Sequence, residues 1–331
     1  MRVLFLTLYP EAGASSRYRV HQFLPYLRAH GLECHVAAPL TAEEYRRLTG
    51  AGRSARPFLY HLHETRRRVA QILGARRYDV VFLQKSVMTA YVPWLPSLLR
   101  RRSRRLVYDI DDAVFLAPPH PLPPWLRWLE DRGQIGEIMS TSDVVLAGNT
   151  WLADRAKQSG AKRVETFPTV VDTDRFVPPT APPHEFRIGW IGSPSTAANL
   201  RIVTEAANTL SGTIPCVALG AGKVDAPWEA REWRIESEVS ELQRFSVGLM
   251  PLDKTEWNLG KCALKVLQYM ACGVPCIATP WGAVRDVIQH DVNGLFADNA
   301  REWIDAIECL RDPDTRARIA AAGRETVCER Y

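Results

Sequence analysis

The 331-residue sequence lacks an apolar run long enough to cross a bilayer, and its cysteines lack the paired spacing of a disulfide or zinc framework. The seven cysteines are an odd number and are scattered, which is typical of reduced thiols in the cytoplasm. The opening MRVLFLTLYPE reaches a glutamate after a short apolar run, which predicts a first strand rather than a secretory signal. The sequence therefore predicts a cytoplasmic protein.

Acidic residues are scarce in the first half. Residues 1–178 contain 26 Lys and Arg against 17 Asp and Glu, a net charge of +9, whereas residues 179–331 contain 16 against 20, a net charge of −4. An anionic partner for the first half would explain this asymmetry. The arginines in ETRRRVAQILGARR and WLPSLLRRRSRR, with Trp125 and Trp128 nearby, favour peripheral contact with an anionic membrane, although solvated helix faces also explain the arginines. No known nucleic-acid signature is present, so nucleic acid is not an expected partner.

Short β-branched runs alternate with amphipathic helical stretches in both halves. The strand candidates are RVLFLT, ECHVAA, DVVFLQ, RLVYDI and DVVLAG, then FRIGWIG, IPCVALGAG, RFSVGLMPL, VPCIATP and NGLFA. Between the two series, PTVVDTDRFVPPTAPP has five prolines and no helical period, which indicates an extended linker. We therefore predict an α/β fold with two Rossmann-like domains, residues 1–178 and 179–331, that face each other across a cleft.

Two lysines and a glutamine interrupt an otherwise apolar segment, GKCALKVLQYMACGVPCIATP. On a helix from Lys261 to Cys272, the side chains of Lys261, Lys265 and Gln268 share one face. The helix follows a predicted strand, so its first turn opens where parallel sheets bind ligands. Two ammonium groups beside a helix N-terminus predict a site for a diphosphate, and Gln268 is placed to bond a ribose. A solvated helix face and a core glutamine are the structural alternatives.

Loops after the first strand of each half contain small residues. In GWIGSPST, Gly192 allows close approach of a ligand and Ser193 offers a hydroxyl, although a tight turn with an N-cap explains this loop nearly as well. In YPEAGASSRYRV, small residues precede two arginines whose charge opposes the helix dipole, so an anionic partner or a surface role explains them. The candidates on this acceptor side are Gly13, Ser15, Arg17 and Arg19.

Carboxylates and a lysine follow two other strands of the first half. YDIDDAVF places Asp109, Asp111 and Asp112 at a strand end, where their mutual repulsion calls for a raised pKa or a cationic neighbour. We expect Asp111 to act as a base or to accept a hydrogen bond from a sugar hydroxyl. A DxD metal site at Asp109 and Asp111 is the weaker alternative. Lys85, in VFLQKS, is expected at the same edge of the sheet.

The run KCALKVLQYMACGVPCIATPWGAVRDVIQHDVNGLFA resembles the C-terminal signature of GT-B glycosyltransferases, and more narrowly of the retaining family 4, which includes bacterial polysaccharide and glycolipid transferases. PTVVDTDRFVP is similar to the family's PNGVDTERFxP segment, and RIGWIGSPST stands where the family has its nucleotide-binding glycine loop. The resemblance covers nearly the whole chain and is strongest over residues 143–297. It implies a nucleotide-sugar-dependent hexosyltransferase that acts with retention and needs neither a metal nor another cofactor.

The sequence departs from that family at the site itself. The family's helix carries two glutamates eight positions apart, and here Gln268 and Gly260 stand at those positions. The Arg and Lys that follow the glycine loop in the family are absent from GSPSTAANL, so we infer that Lys261 and Lys265 supply that charge. In the family, the chain also continues past a segment such as ETVCERY into a helix that returns to the first domain.

The predicted reaction moves a sugar from a nucleotide-diphosphate sugar to an acceptor, which is a glycan, a lipid-linked molecule or a small molecule. Lys261 and Lys265 would stabilise the charge that develops on the departing diphosphate, and Asp111 completes the predicted catalytic set. Gly192, Ser193 and Gln268 complete the predicted donor site. The alternative is a degenerate relative that binds nucleotide sugar without turnover, because the glutamate pair is missing.

Overall fold

The computed structural model describes residues 1–45, 58–119, 122, 124–181 and 183–331, with residues 58–60 described by their backbone alone. They form two compact units, Met1–Thr169 (unit 1) and Val170–Tyr331 (unit 2). The sequence placed this boundary after residue 178. The segment from Val170 belongs to unit 2 because Phe176 is fully buried and its carbonyl accepts a hydrogen bond from Arg324 at 2.6 Å.

Unit 1 contains a parallel sheet in the order β2-β1-β3-β4-β5-β6. Its strands are β1 (Arg2–Leu6), β2 (Glu33–Ala37), β3 (Val80–Gln84), β4 (Leu106–Ile110), β5 (Val144–Ala147) and β6 (Val164–Thr166). In register, Leu4 lies beside His35 on one side and Val81 on the other. The chain starts in the interior of the sheet and then builds outward in both directions, so the topological switch point lies between β1 and β3.

Helices connect these parallel strands, as a right-handed crossover requires. They are α1 (Ala14–Arg19), α2 (Leu24–Ala29), α3 (Phe58–Leu73), α4 (Leu95–Arg102), α5 (Gln134–Thr141) and α6 (Thr150–Gln158). The start of α6 is fixed by Asn149, whose side chain accepts a hydrogen bond from the amide of Leu152 at 2.8 Å. Such a cap satisfies one of the backbone amides that a helix N-terminus leaves without a partner.

Unit 2 also contains a six-stranded sheet, in the order β12-β11-β10-β7-β8-β9, and all of its strand pairs are parallel. Its strands are β7 (Ile188–Ile191), β8 (Cys216–Leu219), β9 (Trp228–Arg231), β10 (Val247–Met250), β11 (Cys276–Ala278) and β12 (Leu295–Phe296). This is the strand order of a dinucleotide-binding Rossmann domain, with its switch point between β7 and β10. Each unit is therefore Rossmann-like, as the sequence predicted.

The helices of unit 2 are α7 (Arg201–Leu210), α8 (Glu238–Leu242), α9 (Glu256–Leu259), α10 (Leu264–Ala271), α11 (Val284–Val287), α12 (Ala300–Cys309) and α13 (Pro313–Arg330). Helix α10 is buried on nearly every side, as its apolar composition predicted. It begins at Leu264 rather than at Lys261, because Ala263 adopts a left-handed conformation with φ of 54°. The prediction that Lys261 shares a helical face with Lys265 was therefore wrong.

The two central strands of unit 2 separate at their carboxyl ends. Pairing between β7 and β10 stops at Gly189 and Gly248. Beyond that point the hydroxyl of Tyr269, on α10, accepts a hydrogen bond from the amide of Ile191 at 2.9 Å and donates one to the carbonyl of Leu249 at 3.1 Å. A Cβ on Gly248 would come within 2.4 Å of the Tyr269 ring, so glycine makes room for it. Tyr269 thus holds open the crevice that the strand order creates.

Candidate functional site

The loop after β7 rests on a buried tryptophan. Trp190 is fully buried, and a Cβ on Gly192 would lie 2.3 Å from its indole. The loop after β8 closes from the other side, since a Cβ on Gly220, whose φ is +78°, would lie 2.4 Å from the carbonyl oxygen of Gly192. A side chain at position 192 is therefore excluded, and the backbone of this loop is held at the switch point of unit 2.

Lys265 lies against the same tryptophan. Its Nζ is 4.2 Å from the centre of the Trp190 ring, a cation–π distance. Burial, together with the charge of Lys261, lowers the pKa of Lys265 to about 7. Two of the predicted donor residues, Lys265 and Gly192, are thus brought together by a residue that the sequence reading did not single out. An anion bound there would favour the charged form of the lysine.

Lys261 precedes α10 and lies near its N-terminus. Its Nζ is 6.0 Å from the centre of the Trp257 ring, the outer limit of a cation–π contact. Repulsion from the Lys261 ammonium group contributes to the lowered pKa of Lys265. The structure therefore keeps both lysines at one end of α10 although they do not share a helical face.

Ser193 lies in an internally bonded turn. Its hydroxyl and that of Ser195 are 2.8 Å apart, and its backbone amide donates to the Thr196 hydroxyl at 3.3 Å. Thr196 returns a hydrogen bond to the carbonyl of Ser193 at 3.1 Å. The turn remains solvent-exposed, so its hydroxyls are accessible to a ligand.

Gln268 is only 3% exposed and contacts a carboxylate that the sequence reading missed. Its Nε2 donates to Oε1 of Glu238 at 3.1 Å. Glu238, on α8, is 1% exposed and also accepts hydrogen bonds from Arg175 and Trp233. In sequence, Glu238 is one of several acids in a polar stretch, so nothing marked it as buried.

In unit 1, polar side chains meet where β1, β3 and β4 end. The hydroxyl of Ser15 donates to a carboxylate oxygen of Asp111 and accepts from Nε2 of Gln84 at 2.6 Å. The Oε1 atom of Gln84 in turn accepts from the hydroxyl of Ser16 at 3.2 Å and from the amide of Leu8 at 3.3 Å. The structure thus brings together Ser15 and Asp111, two of the predicted site residues, with Gln84 as a further member of the cluster that the sequence analysis did not identify.

Lys85 joins this cluster through its ammonium group. Nζ donates to Asp112 at 2.6 Å and lies 3.9 Å from Asp111. Burial alone would lower the pKa of Lys85, but Asp112 and Asp111 outweigh burial and hold the pKa above its ordinary value. Its φ of 73° is in the left-handed region, so the backbone at this strand end is strained. Lys85 therefore stays charged and offsets part of the negative charge of the two carboxylates.

Arg19 has a structural role instead of the predicted acceptor contact. It is 2% exposed, and its guanidinium makes a bidentate ion pair with the fully buried Asp109. It also donates to the carbonyl of Phe167 at 2.8 Å. These bonds hold the Arg19 guanidinium inside unit 1, away from a ligand at the surface.

Gly13 and Arg17 lie at the beginning of unit 1's first crossover. A Cβ on Gly13 would come within 2.6 Å of the Cβ of Tyr9, so this glycine permits the loop to close on β1. Arg17 is buried, and its guanidinium lies 5.0 Å from the centre of the Tyr18 ring. Both residues are near the Ser15 cluster in sequence.

Among the residues that the structure describes, no group of three or more His, Cys, Asp or Glu side chains is arranged to hold a metal ion. Within the same part of the chain, every helix is too short or too polar to span a membrane.

An apolar cavity of about 360 Å³ lies elsewhere in unit 1. Leu62, Met88, Val92, Leu126 and Leu129 are among the residues that line it. Around it the surface carries large exposed side chains, with Trp94 50%, Trp125 66% and Trp128 78% exposed. Exposed aromatic groups on this scale are unusual for a surface that faces only water.

Two family models match the chain in succession. The model described as Glycosyltransferase Family 4 matches residues 17–175, and that described as Glycosyl transferases group 1 matches residues 186–312. A curated relative, N-acetyl-alpha-D-glucosaminyl L-malate synthase of Bacillus anthracis, is 32% identical over 99 residues. That match covers 29% of this chain and only 25% of the relative.

Solved structures match over nearly the whole chain. The Anabaena protein HepE, crystallised with UDP-glucose, aligns with a TM-score of 0.73 and 15% identity over 100% of this chain and 95% of its own. Sucrose-phosphate synthase from Thermosynechococcus elongatus aligns with a TM-score of 0.69 and 13% identity over 99% and 94%. A glycosyltransferase from Rickettsia africae aligns with a TM-score of 0.66 and 13% identity over 99% and 94%. At such identities the likeness is one of fold.

Proposed function

Because the chain belongs to the group 1 family of GT-B glycosyltransferases, we propose that it transfers a sugar from a nucleoside-diphosphate sugar to an acceptor. The observation that carries the proposal is the meeting of Lys265, Trp190 and Gly192 at the switch point of unit 2. Open parallel sheets bind nucleotides at such a point. Unit 2 therefore supplies the donor site.

The chemistry of this site suits a diphosphate leaving group. As the bond to the sugar breaks, negative charge develops on the nucleotide, and preorganised cations lower the barrier by stabilising that charge. Lys265 and Lys261 supply the cations, and the exposed Ser193 turn offers a hydroxyl beside Gly192. The indole of Trp190 keeps one side of the Lys265 ammonium away from water, which strengthens its interaction with phosphate.

The acceptor contacts belong to unit 1 in this proposal. Ser15, Asp111 and Lys85 form a bonded cluster at the carboxyl ends of three strands, where polar side chains suit sugar hydroxyls. Asp111 is the group that would accept a hydrogen bond or a proton from the incoming hydroxyl. Arg17 lies next to this cluster in sequence and would face an anionic part of the acceptor.

We further propose that transfer occurs with retention and without a metal. Where Asp111 only accepts a hydrogen bond, the leaving phosphate takes the proton of the incoming hydroxyl, so no protein base is required. Attack by that hydroxyl on the face of the sugar that the phosphate leaves gives retention without a protein nucleophile. Asp109, the first residue of the DxD spelling, is bonded to Arg19, and Asp111 is bonded to Ser15. A metal at this pair would have to displace a buried arginine. Activity that is abolished by EDTA and restored by Mn²⁺ would contradict this part of the proposal.

A thermal-shift screen with UDP, GDP, ADP and dTDP tests the donor assignment, because at a given concentration a tighter ligand stabilises the folded protein more. HepE, a structural neighbour, was crystallised with UDP-glucose, so UDP is the first choice. The binding nucleotide then defines the sugar donors to be assayed for transfer. Lys265→Ala should abolish the shift, whereas Lys254→Ala, at an exposed ion pair with Asp298, should keep it. Equal shifts in both variants would contradict the assignment.

A nucleotide-sugar-binding protein without turnover is the second candidate. It is favoured by one observation: Gln268 and Gly260 replace the family's glutamate pair. Calorimetry would then show donor binding, while product would be absent across a panel of donors and acceptors. Detection of transferred sugar with any donor would exclude it.

We also propose that unit 1 contacts an anionic membrane surface. Trp125 and Trp128 are exposed beside Arg127, and the apolar cavity opens in the same region, where Leu126 and Leu129 line it. Interfacial tryptophans with arginines are typical of peripheral membrane contact. In sedimentation with vesicles, Trp125→Ser/Trp128→Ser should lose binding to vesicles that contain anionic lipid. Unchanged sedimentation of this variant would contradict the proposal.

A further inference from the structure

Glu238 is a buried carboxylate whose hydrogen-bond donors come from three separate parts of unit 2. Its Oε1 accepts from Nε2 of Gln268 and from Nε1 of Trp233, both at 3.1 Å. Its Oε2 accepts from a guanidinium nitrogen of Arg175 at 3.0 Å. Trp233 also packs against the Gly220 loop, because a Cβ on Gly220 would lie 3.0 Å from the Cβ of Trp233. Glu238 therefore links α10, the segment that enters unit 2, and the loop behind Gly192.

This arrangement fixes the orientation of the Gln268 amide. An ionised carboxylate only accepts hydrogen bonds, so the amide must turn its NH₂ group towards Glu238. The carbonyl oxygen Oε1 of Gln268 then points away from Glu238 across the planar amide. Because Gln268 is 3% exposed and Glu238 is 1% exposed, neither side chain has room to choose another rotamer without leaving a buried polar group unsatisfied.

The same contact explains why residue 268 is a glutamine. A glutamate at this position would place two carboxylates at hydrogen-bond distance in a buried site, and like charges so close cannot both ionise. Arg175 supplies one positive charge to the pair, and it is already bonded to Glu238. The neutral amide of Gln268, by contrast, donates a hydrogen bond to the carboxylate of Glu238.

We propose that Glu238 is a positioning residue for the donor. It holds Gln268 so that the amide oxygen of Gln268 accepts a hydrogen bond from a hydroxyl of the bound nucleotide sugar. It also requires residue 268 to be uncharged. This inference rests on the proposed function, since it presupposes a donor in unit 2. In this proposal Glu238 touches no reacting atom and acts on the donor through Gln268.

The test compares Gln268→Glu, Glu238→Gln and the double variant with the wild type. UDP affinity is measured by calorimetry from pH 5.5 to pH 8.5 and is expressed as the ratio of variant to wild type at each pH. Gln268→Glu should bind UDP at least tenfold more weakly than the wild type at pH 8. That loss should shrink as the pH falls, because the paired carboxyls take up a proton. The double variant restores one acid and one amide, so its ratio should become independent of pH and return to within about threefold of the wild type.

Gln243→Glu is the matched control, because this substitution makes the same chemical change at a glutamine that does not contact Glu238. The side chain of Gln243 donates instead to the carbonyl of Val177 at 2.8 Å. Its affinity ratio should not vary with pH. A constant ratio for Gln268→Glu, or a double variant as weak as Gln268→Glu, would overturn the proposal.

Melting of the same variants without ligand separates this inference from the proposed function. The melting temperature of Gln268→Glu should fall as the pH rises, and the double variant should recover it. If these melting results hold while the wild type binds none of the nucleotides, the Glu238–Gln268 coupling stands and the donor function is refuted. If the melting temperature of Gln268→Glu is insensitive to pH, the coupling itself is refuted.

Discussion

The ammonium group of Lys265 lies 4.2 Å above the centre of the Trp190 ring. The indole is fully buried and belongs to the central strand β7, whereas the lysine comes from α10. The contact joins the loop after β7, through Gly192 and Trp190, to the helix that carries Gln268. Under the proposed function, a cation held against an apolar wall at the end of a parallel strand would be a preorganised anion site, and this contact is the basis of the first two predictions.

Nucleotide affinity should weaken above neutral pH. The pKa of Lys265 is lowered to about 7, so its ammonium form is lost as the pH rises through that value. Under the proposed function, the ammonium form is the one that binds the diphosphate. If only the charged form binds, affinity for UDP should fall about five-fold between pH 7 and pH 8. Calorimetry in buffers of different ionisation enthalpy should also show proton uptake on binding at pH 8. Lys265→Arg, whose charge persists, should remove this pH dependence; its persistence in that variant would refute the assignment.

Removing the buried charge should stabilise the ligand-free protein at low pH. In the unfolded chain Lys265 titrates at its ordinary pKa of 10.5, so between about pH 7 and that value the unfolded chain binds more protons than the folded one. The stability contribution of Lys265 therefore rises with pH over this window. Lys265→Met should melt at a higher temperature than the wild type at pH 6, and the difference should shrink towards pH 9. If the difference in melting temperature grew with pH, the predicted direction of the pH dependence of stability would be wrong.

Gly192→Ala should destabilise unit 2. The new methyl group would lie 2.3 Å from the Trp190 indole, which is fully buried and cannot move aside. Overpacking of this kind costs about 1–3 kcal/mol, measured as the free energy of unfolding in urea. Gly212→Ala is the control, because its Cβ would meet nothing within 4 Å. Equal stabilities of the two variants would contradict the described packing.

The Arg19–Asp109 ion pair should behave as a unit of the core. Asp109→Ala leaves a buried guanidinium without its carboxylate, which costs about 3–5 kcal/mol of unfolding free energy. Arg19→Met/Asp109→Leu removes both charges and should cost less than Asp109→Ala alone. A double variant that is less stable than either single one would mean that the pair is not coupled. If Arg19→Lys weakened acceptor binding without changing stability, the sequence prediction for Arg19 would be restored.

Much of the architecture follows from the sequence because parallel strands are buried on both faces. Runs such as VVFLQ and CVAL are continuous apolar segments, and ten of them were predicted as strands. The two strands that were missed, β6 and β9, pair on one side only and have polar residues such as Glu165 and Glu229. The other two edge strands, β2 and β12, were predicted from their apolar residues, so β6 and β9 were missed because charged residues interrupt their apolar runs.

The site was predictable in its residue types but not in its contacts. Gly192 follows a strand and precedes a helix, which is a local pattern, and the structure places it at the switch point. Because Ala263 adopts a left-handed conformation, the helix begins after Lys261. Alanine rarely adopts this conformation, so the sequence gives no sign of it. The partners Trp190 and Glu238 are 75 and 30 positions from Lys265 and Gln268 in sequence, so only the fold brings them together.

The hydroxyl of Tyr269 has a consequence for the evolution of donor specificity. By bonding to both Ile191 and Leu249, it clamps α10 to the two strands at once. Burial raises the pKa of Tyr269, so the clamp remains neutral and intact over the physiological range. Lys265 and Gln268 therefore cannot be repositioned by tilting their helix. Under the proposed function, relatives that accept a different sugar or base would have to diverge in the turns after β7 and β8, which can change length while the clamped helix stays where it is.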